Sequence, residues 1–224
     1  MKFDVIKLAE AIDQWSMDMG AEKIEIDIPD NKLKKRKHLG LSEICKDCPR
    51  AGWYSFRKVK KVKFPARILR LFQRGHREEY VFVRMLEAIG LKLWDTDPST
   101  GKQFKVKDFE DHLQGSMDTV GKDVELLFAD SDDPFLLEYK TYNKVRFKKL
   151  VDNGVKKSDP VYYGQMNGYM GYEKRLKGCL FCAVCKDDDS LYFEWLEPDE
   201  LALDHIKNRA DIIINAKTPP PRIP

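Results

Sequence analysis

The stretch Pro134-Phe135-Leu136-Leu137-Glu138-Tyr139-Lys140 reads as a buried strand that ends in charge. An apolar run follows an Asp- and Pro-rich turn at Asp130 to Pro134, and a carboxylate and an ammonium then flank a tyrosine. Side chains alternate along a strand, so Glu138 and Lys140 share one face and Tyr139 points to the other. Ions at the end of a core strand are costly unless they are paired or hold a metal. For an isolated Glu-x-Lys a structural ion pair is the simpler account, so the flanking sequence has to decide.

Upstream, the pattern alternates from Phe104 through Val106 and Phe109 to Leu113-Gln114-Gly115-Ser116-Met117-Asp118. This predicts a strand whose Gly115 permits close backbone approach and whose Asp118 sits near its end. A second strand, Val124 to Ala129, follows the turn at Gly121. A hairpin feeding the Glu138 strand lets Asp118 and Glu138 converge. Two carboxylates and a lysine at the end of a sheet form a hard-oxygen site suited to Mg²⁺ or Mn²⁺.

Further upstream, Pro65 precedes a helix from Ala66 on which Arg67, Arg70, Arg74 and Arg77 fall in one stripe. Such a stripe suits phosphate contacts, and an exposed salt-bridged face would look the same. Gly75-His76-Arg77-Glu78-Glu79 then leads into an apolar helix, Tyr80 to Ile89, ending at Gly90. Glu78 and Glu79 both lie near its apolar face, and periodicity does not say which is held against the core. Before Pro65, Ser42 is a candidate N-cap for a helix through Cys48 and Tyr54. Val5 to Trp15 has helical spacing, and Ile24, Ile26 and Ile28 alternate as a short strand.

Downstream, Asn143 to Lys157 is polar and basic, with Lys144, Arg146 and Lys148, and reads as a mobile loop able to close over a phosphate backbone. Asp159-Pro160 opens a helix with Gln165 and Tyr169 one turn apart, on one face with Tyr162 and Tyr172. As isolated residues they read as satisfied core polars. Cys179 to Glu194 forms a hairpin around Lys186 to Ser190, and Thr218 to Pro221 is an extended, loosely held tail.

The 224 residues suffice for one large domain and carry a net charge of +3. Lys32 to Arg77 holds 16 Lys and Arg against Glu43 and Asp47, so the remainder is strongly acidic. A basic block beside an acidic remainder is the pattern of a polyanion-binding surface next to a metal site. No run reaches membrane-span length, and the acidic N-terminus is no secretory signal, which points to a soluble, cytoplasmic protein. Five cysteines do not suggest a disulfide framework.

In order, the chain presents Gly-His-x-x-Glu, Gly-x-x-Asp, Glu-x-Lys and Gln-x-x-x-Tyr. Over roughly Leu41 to Leu196 this resembles the PD-(D/E)XK nuclease superfamily, more closely the RecB-like exonucleases, including CRISPR-associated, AddB-type and small phage nucleases. The resemblance implies an α/β fold with a restriction-endonuclease-like core, a central mixed β-sheet flanked by helices. Residues 66–200 would form the catalytic core, 1–65 a helical, basic accessory region, and 201–224 a C-terminal helix and tail.

It also implies roles. Glu79 matches the first-motif carboxylate, selected over Glu78 by the His-x-x-Glu spacing. Asp118 and Glu138 match metal ligands, Lys140 the catalytic lysine, and His76 a histidine that assists metal binding. Gln165 and Tyr169 match a fourth motif that supports the site and contacts DNA. The metal, Mg²⁺ or Mn²⁺, would be held by Asp118, Glu138 and the Tyr139 carbonyl, with Glu79 holding a second ion or a water. Arg67, Arg70, Arg74, Lys144, Arg146 and Lys148 would grip phosphates. Trp53 and Tyr54 either stack on unpaired bases or pack in the core.

Relatives with an iron–sulfur cluster use one upstream and three C-terminal cysteines. Here Cys179 and Cys182 fall on opposite faces of one strand, and nothing matches the later cysteines, so the reading is against a cluster. The expected activity is a deoxyribonuclease acting at DNA ends, single- or double-stranded, in recombination, repair or phage DNA processing. A recombinase or single-strand-binding protein is the partner class implied, and the host cytoplasm the compartment if phage-encoded. A non-catalytic DNA-end or single-strand binding module that kept the fold is the competing expectation.

Overall fold

The structure is a computed structural model that describes residues 5–19, 38–59, 65–122 and 133–223. In chain order these form α1 (Val5–Met19), β1 (Leu39–Gly40), α2 (Leu41–Ile44), α3 (Pro49–Phe56), α4 (Ala66–Ala88), β2 (Lys92–Trp94), β3 (Thr96–Asp97), β4 (Lys102–Gln103) and β5 (Lys105–Asp108). They continue as β6 (Leu113–Ser116), β7 (Thr119–Lys122), β8 (Phe135–Tyr142), α5 (Lys144–Ser158), α6 (Pro160–Tyr172), β9 (Cys179–Cys185), β10 (Leu191–Leu196) and α7 (Glu200–Asn215). The expected strand at Ile24 to Ile28, the Lys32 to Lys37 run and the Val124 to Ala129 strand lie outside the described residues.

The fold is mixed α/β, with a central mixed sheet flanked by helices. Its strand order is β10-β9-β8-β7-β2, and only the β8–β9 pair is parallel. A parallel pair requires a crossover, which α5 and α6 supply. Strand β8 lies in the middle, so its apolar run is buried on both faces. Phe135, Leu137 and Tyr139 face one cluster with Leu8, Ile12, Phe82 and Leu86 from α1 and α4. Leu136 and Tyr142 face the other, with Leu150 of α5 and Met166 and Met170 of α6. Every residue from Gln165 to Met170 is buried, because α6 is covered by the sheet on one side and by α7 on the other.

Several local expectations are corrected. Ala66 to Ala88 is a single helix of 23 residues, so Gly-His-x-x-Glu lies within a helix rather than opening one. A Cβ added at Gly75 would meet no neighbour within 4 Å beyond its own turn among the described residues, and a glycine on an open helix face costs about 1 kcal/mol without breaking the helix. The helix does stop at Gly90, whose φ of 103° lets the Leu91 N–H turn back onto the Leu86 carbonyl. The region from Ser42 to Tyr54 is two helices, α2 capped at Gly40 and α3 restarting with Pro49 in its first turn. Between Phe104 and Ser116 the chain forms a β5–β6 hairpin rather than one strand.

The basic stretch after β8 is helix α5, not a loop. The Asn143 side chain caps it by accepting the Arg146 N–H at 2.9 Å, and Phe147 and Leu150 bury its inner face. Counting charges hid those apolar positions. A break at Gly154, with φ 72° and ψ 168°, turns the chain so that the Val155 N–H reaches the Glu194 carboxylate at 2.8 Å.

The expected loose tail is also held. Arg50 donates to the Pro220 carbonyl and Trp53 Nε1 to the Ala216 carbonyl, each at 2.8 Å. The Arg57 guanidinium donates to the carbonyls of Ile213, Ile214 and Ala216, covering the C-terminal end of α7. Trp53 and Tyr54 therefore pack with arginines against the chain's end, Arg57 lying 4.3 Å from the Trp53 ring centroid.

Candidate active site

The position of Asp118 follows from strand register. Strands β7 and β8 pair antiparallel with Thr119 opposite Leu137, so the residue before Thr119 stands opposite the residue after Leu137. That pair is Asp118 and Glu138. The backbone ahead of Asp118 is fixed from behind by α6. The Tyr169 hydroxyl donates to the Ser116 carbonyl at 2.7 Å and accepts from Gln165 Nε2 at 3.1 Å. Gly115 makes room for this contact, since a Cβ there would stand 2.6 Å from Tyr169 Cε1 and 2.5 Å from Leu41 Cδ1.

Glu138 is 1% exposed. Its Oε1 accepts from Lys140 Nζ, which also donates to the Tyr139 carbonyl at 3.0 Å. Its Oε2 is buried and has no hydrogen-bond partner among the described residues. Lys140 thus turns back along its own strand, its ammonium 4.9 Å from the centroid of the Tyr162 ring on α6. Burial would lower the lysine pKa, but the charges of Glu138 and Asp118 outweigh it and hold the ammonium protonated.

The third carboxylate comes from the opposite face of the sheet. Glu79 shares a helical stripe with Phe82 and Leu86, which pack on the sheet, and Phe82 stacks on Tyr139 at 5.6 Å between ring centroids. This stripe brings Glu79 within electrostatic reach of Glu138 and Lys140. Its carboxyl is pushed up to about 7 by burial and the Glu138 charge, with Lys140 opposing. Asp118 is pushed up to about 7 by burial first, then by Glu138 and Glu79, with Lys140 and His76 opposing. Three carboxylates from separate stretches of chain therefore repel one another in a partly dry site. Glu78 does not join them and lies 3.6 Å from Arg74. His76 Nδ1 stands 3.5 Å from Glu79 Oε2.

A hard divalent cation fits this donor set. All the acidic donors are carboxylate oxygens, one of them is buried without a hydrogen-bond partner among the described residues, and burial pushes two of the carboxyls up to about 7. As the side chains stand, no three His, Cys, Asp or Glu among the described residues are gathered closely enough to enclose an ion. The Lys140 ammonium takes up both Glu138 Oε1 and the Tyr139 carbonyl.

The outlying cations are less free than the sequence suggests. Arg74 donates to the Lys186 carbonyl at 3.1 Å, while Arg67 and Arg70 are exposed on α4. On α5, Lys144 lies 3.6 Å from Asp188, Lys148 lies 3.1 Å from Asp152, and Arg146 pairs with Asp159. Exposed pairs of this kind contribute little and exchange readily for another anion. Cys179 and Cys185 face one side of β9 and Cys182 the other, all buried as free thiols. Sequence reasoning placed Tyr162 on the Gln165 face without giving it a role. Its three-residue spacing from Gln165 was the available signal.

Two solved structures share this fold. An alkaline exonuclease (LHK-Exo) from Laribacter hongkongensis superposes with a TM-score of 0.54 at 15% identity, covering 80% of this chain and 87% of that one. LHK-Exo in complex with dAMP gives a TM-score of 0.52 at 16% identity, over 80% and 87% of the two chains. No family model matches the chain, and no curated protein sequence does. Among the described residues no helix is long and apolar enough to cross a membrane.

Proposed function

We propose that the protein is a metal-dependent deoxyribonuclease of the PD-(D/E)XK type, of the RecB-like subgroup, acting at DNA ends. The observation that carries this reading is the mutual electrostatic grip of Glu79, Asp118, Glu138 and Lys140, where the chain enters β7 beside the middle of β8. A nuclease needs carboxylates to hold a cation and a cationic group to face the scissile phosphate, and these four residues supply both. The fold shared with an alkaline exonuclease supports the substrate class.

Asp118 and Glu138 would hold Mg²⁺ or Mn²⁺, with Glu79 and His76 beside them. When bound, such an ion polarises the phosphate and acidifies a water. The ammonium of Lys140 faces the buried Glu138 carboxylate as its counter-charge, in the place where a cation would sit. Lys140, released from Glu138, has a hydrogen-bond donor to orient the attacking water or to offset charge on the phosphate oxygens. Asp118 and Glu79, both pushed up to about 7, would supply carboxylate oxygens to such an ion above neutral pH. Arg67, Arg70 and the α5 cations would meet the DNA backbone by exchanging carboxylate for phosphate partners.

The test is degradation of end-labelled linear DNA with Mg²⁺ or Mn²⁺ and with EDTA, beside a covalently closed circle. Linear DNA shortened only with the metal, with the circle spared, and activity abolished in Lys140→Ala and Asp118→Asn, is the expected result. Wild type and Lys140→Ala degrading DNA equally would overturn the assignment. Metal-independent binding of ends without cleavage would favour a binding module.

A further inference from the structure

We propose that Tyr162 is a positioning residue for Lys140, its ring forming the third side of the pocket that aims the lysine ammonium. The inference rests on the nuclease reading for its consequence, and on the geometry alone for the contact. An ammonium has three N–H donors. Two of those of Lys140 go to Glu138 Oε1 and the Tyr139 carbonyl, both on the lysine's own strand. Both hold the ammonium along the strand, and a limit on its swing toward α6 has to come from α6 itself. The Tyr162 ring, with its centroid 4.9 Å from Nζ, supplies that limit.

The ring is well placed for the task. Tyr162 stands in the first turn of α6, where its N–H bonds the Asp159 carbonyl at 3.0 Å, and it packs against the main core cluster. One and two turns further on, the same helix carries Gln165 and Tyr169, whose hydroxyl accepts from Gln165 and donates to the Ser116 carbonyl. One buried helix therefore fixes both the lysine and the backbone leading to Asp118. A π face attracts an ammonium without accepting a hydrogen bond, so it steadies Lys140 and leaves its donors for oxygen. A hydroxyl or carboxylate in that place would compete for them.

The experiment compares Tyr162→Phe, which keeps the ring, with Tyr162→Leu, which removes it. In the metal-free protein the Lys140 ε-methylene signal in ¹H–¹³C spectra is ring-current shifted in wild type and Tyr162→Phe, and returns to the ordinary lysine position in Tyr162→Leu. In cleavage assays, Tyr162→Leu lowers kcat about tenfold with KM for DNA unchanged, and Tyr162→Phe restores it. An unshifted methylene in wild type, or equal kcat in wild type and Tyr162→Leu, overturns the proposal. A wild type that cleaves no DNA overturns the nuclease reading instead, and the spectra still decide the contact.

Discussion

The Tyr169 hydroxyl donates to the Ser116 carbonyl across 2.7 Å, fastening the central helix to the strand end that leads to Asp118. Tyr169 is 4% exposed, so the bond is made where water cannot replace it. Tyr169→Phe should cost about 1 kcal/mol in urea denaturation and slow DNA cleavage out of proportion to that loss. Gly115→Ala should do more, because the added methyl overlaps both Leu41 and Tyr169. Unchanged cleavage in both variants would separate Tyr169 from the placement of Asp118.

Lys140→Met should destabilise the metal-free protein by about 3 kcal/mol, since it leaves a carboxylate that is 1% exposed without its counter-charge. Glu138→Gln together with Lys140→Met should recover most of that loss while remaining inactive. Chemical denaturation of the three variants measures the coupling. A double variant no more stable than the single one would show that the ion pair is not what Lys140 contributes to folding.

Glu79 and Asp118 both titrate near pH 7 when folded, above the ordinary 4.5 and 3.8. The folded state therefore holds protons that the unfolded chain has already released. Their contribution to stability is complete below about pH 4 and is lost as pH rises through 7. The melting temperature of metal-free wild type should fall across that window more steeply than that of Asp118→Asn. Mn²⁺ binds the deprotonated carboxylates, so it should raise the melting temperature more at pH 8 than at pH 5.5. Parallel wild-type and Asp118→Asn profiles would contradict this.

Arg57→Ala should cost about 2 to 3 kcal/mol. The guanidinium donates to three carbonyls at the negative end of α7 and lies over the Trp53 ring. Arg57→Lys should restore only part, because an ammonium cannot reach three carbonyls in a planar fork. Thermal unfolding of the pair checks the order.

Gly154→Ala should cost about 1 to 3 kcal/mol, because φ 72° and ψ 168° are open only to glycine and a Cβ would stand 3.1 Å from Glu194 Oε1. Denaturant midpoints for Gly154→Ala, with Gly75→Ala as an unstrained comparison, measure it. Gly75→Ala should be neutral or stabilising.

What could be read in advance divides along physical lines. The Glu138 strand was legible because a buried strand in mid-sheet is an unbroken apolar run, and its alternation fixes which face Glu138 and Lys140 share. The turn at Gly90, the helix start at Pro160 and the hairpin around Lys186 to Ser190 were legible because each rests on local chemistry. Helix α5 was not, because six basic residues obscure the few apolar positions that bury it. The continuity of α4 was hidden by Gly75, whose helix-breaking tendency is outweighed by the turns on either side. Periodicity could not separate Glu79 from Glu78, since both adjoin the apolar stripe; the His-x-x-Glu spacing was what favoured Glu79. The grip of Arg50 and Arg57 on residues 213–220 depends on a meeting of distant segments that no local pattern encodes.

That last meeting also governs how the molecule comes apart. Because Arg50, Trp53 and Arg57 direct their donors to carbonyls between Ile213 and Pro220, the third and seventh helices can loosen only as a pair. A protease nick or a thermal excursion that releases one of them releases the other in the same event. A spectroscopic label on either segment would therefore report the opening of both.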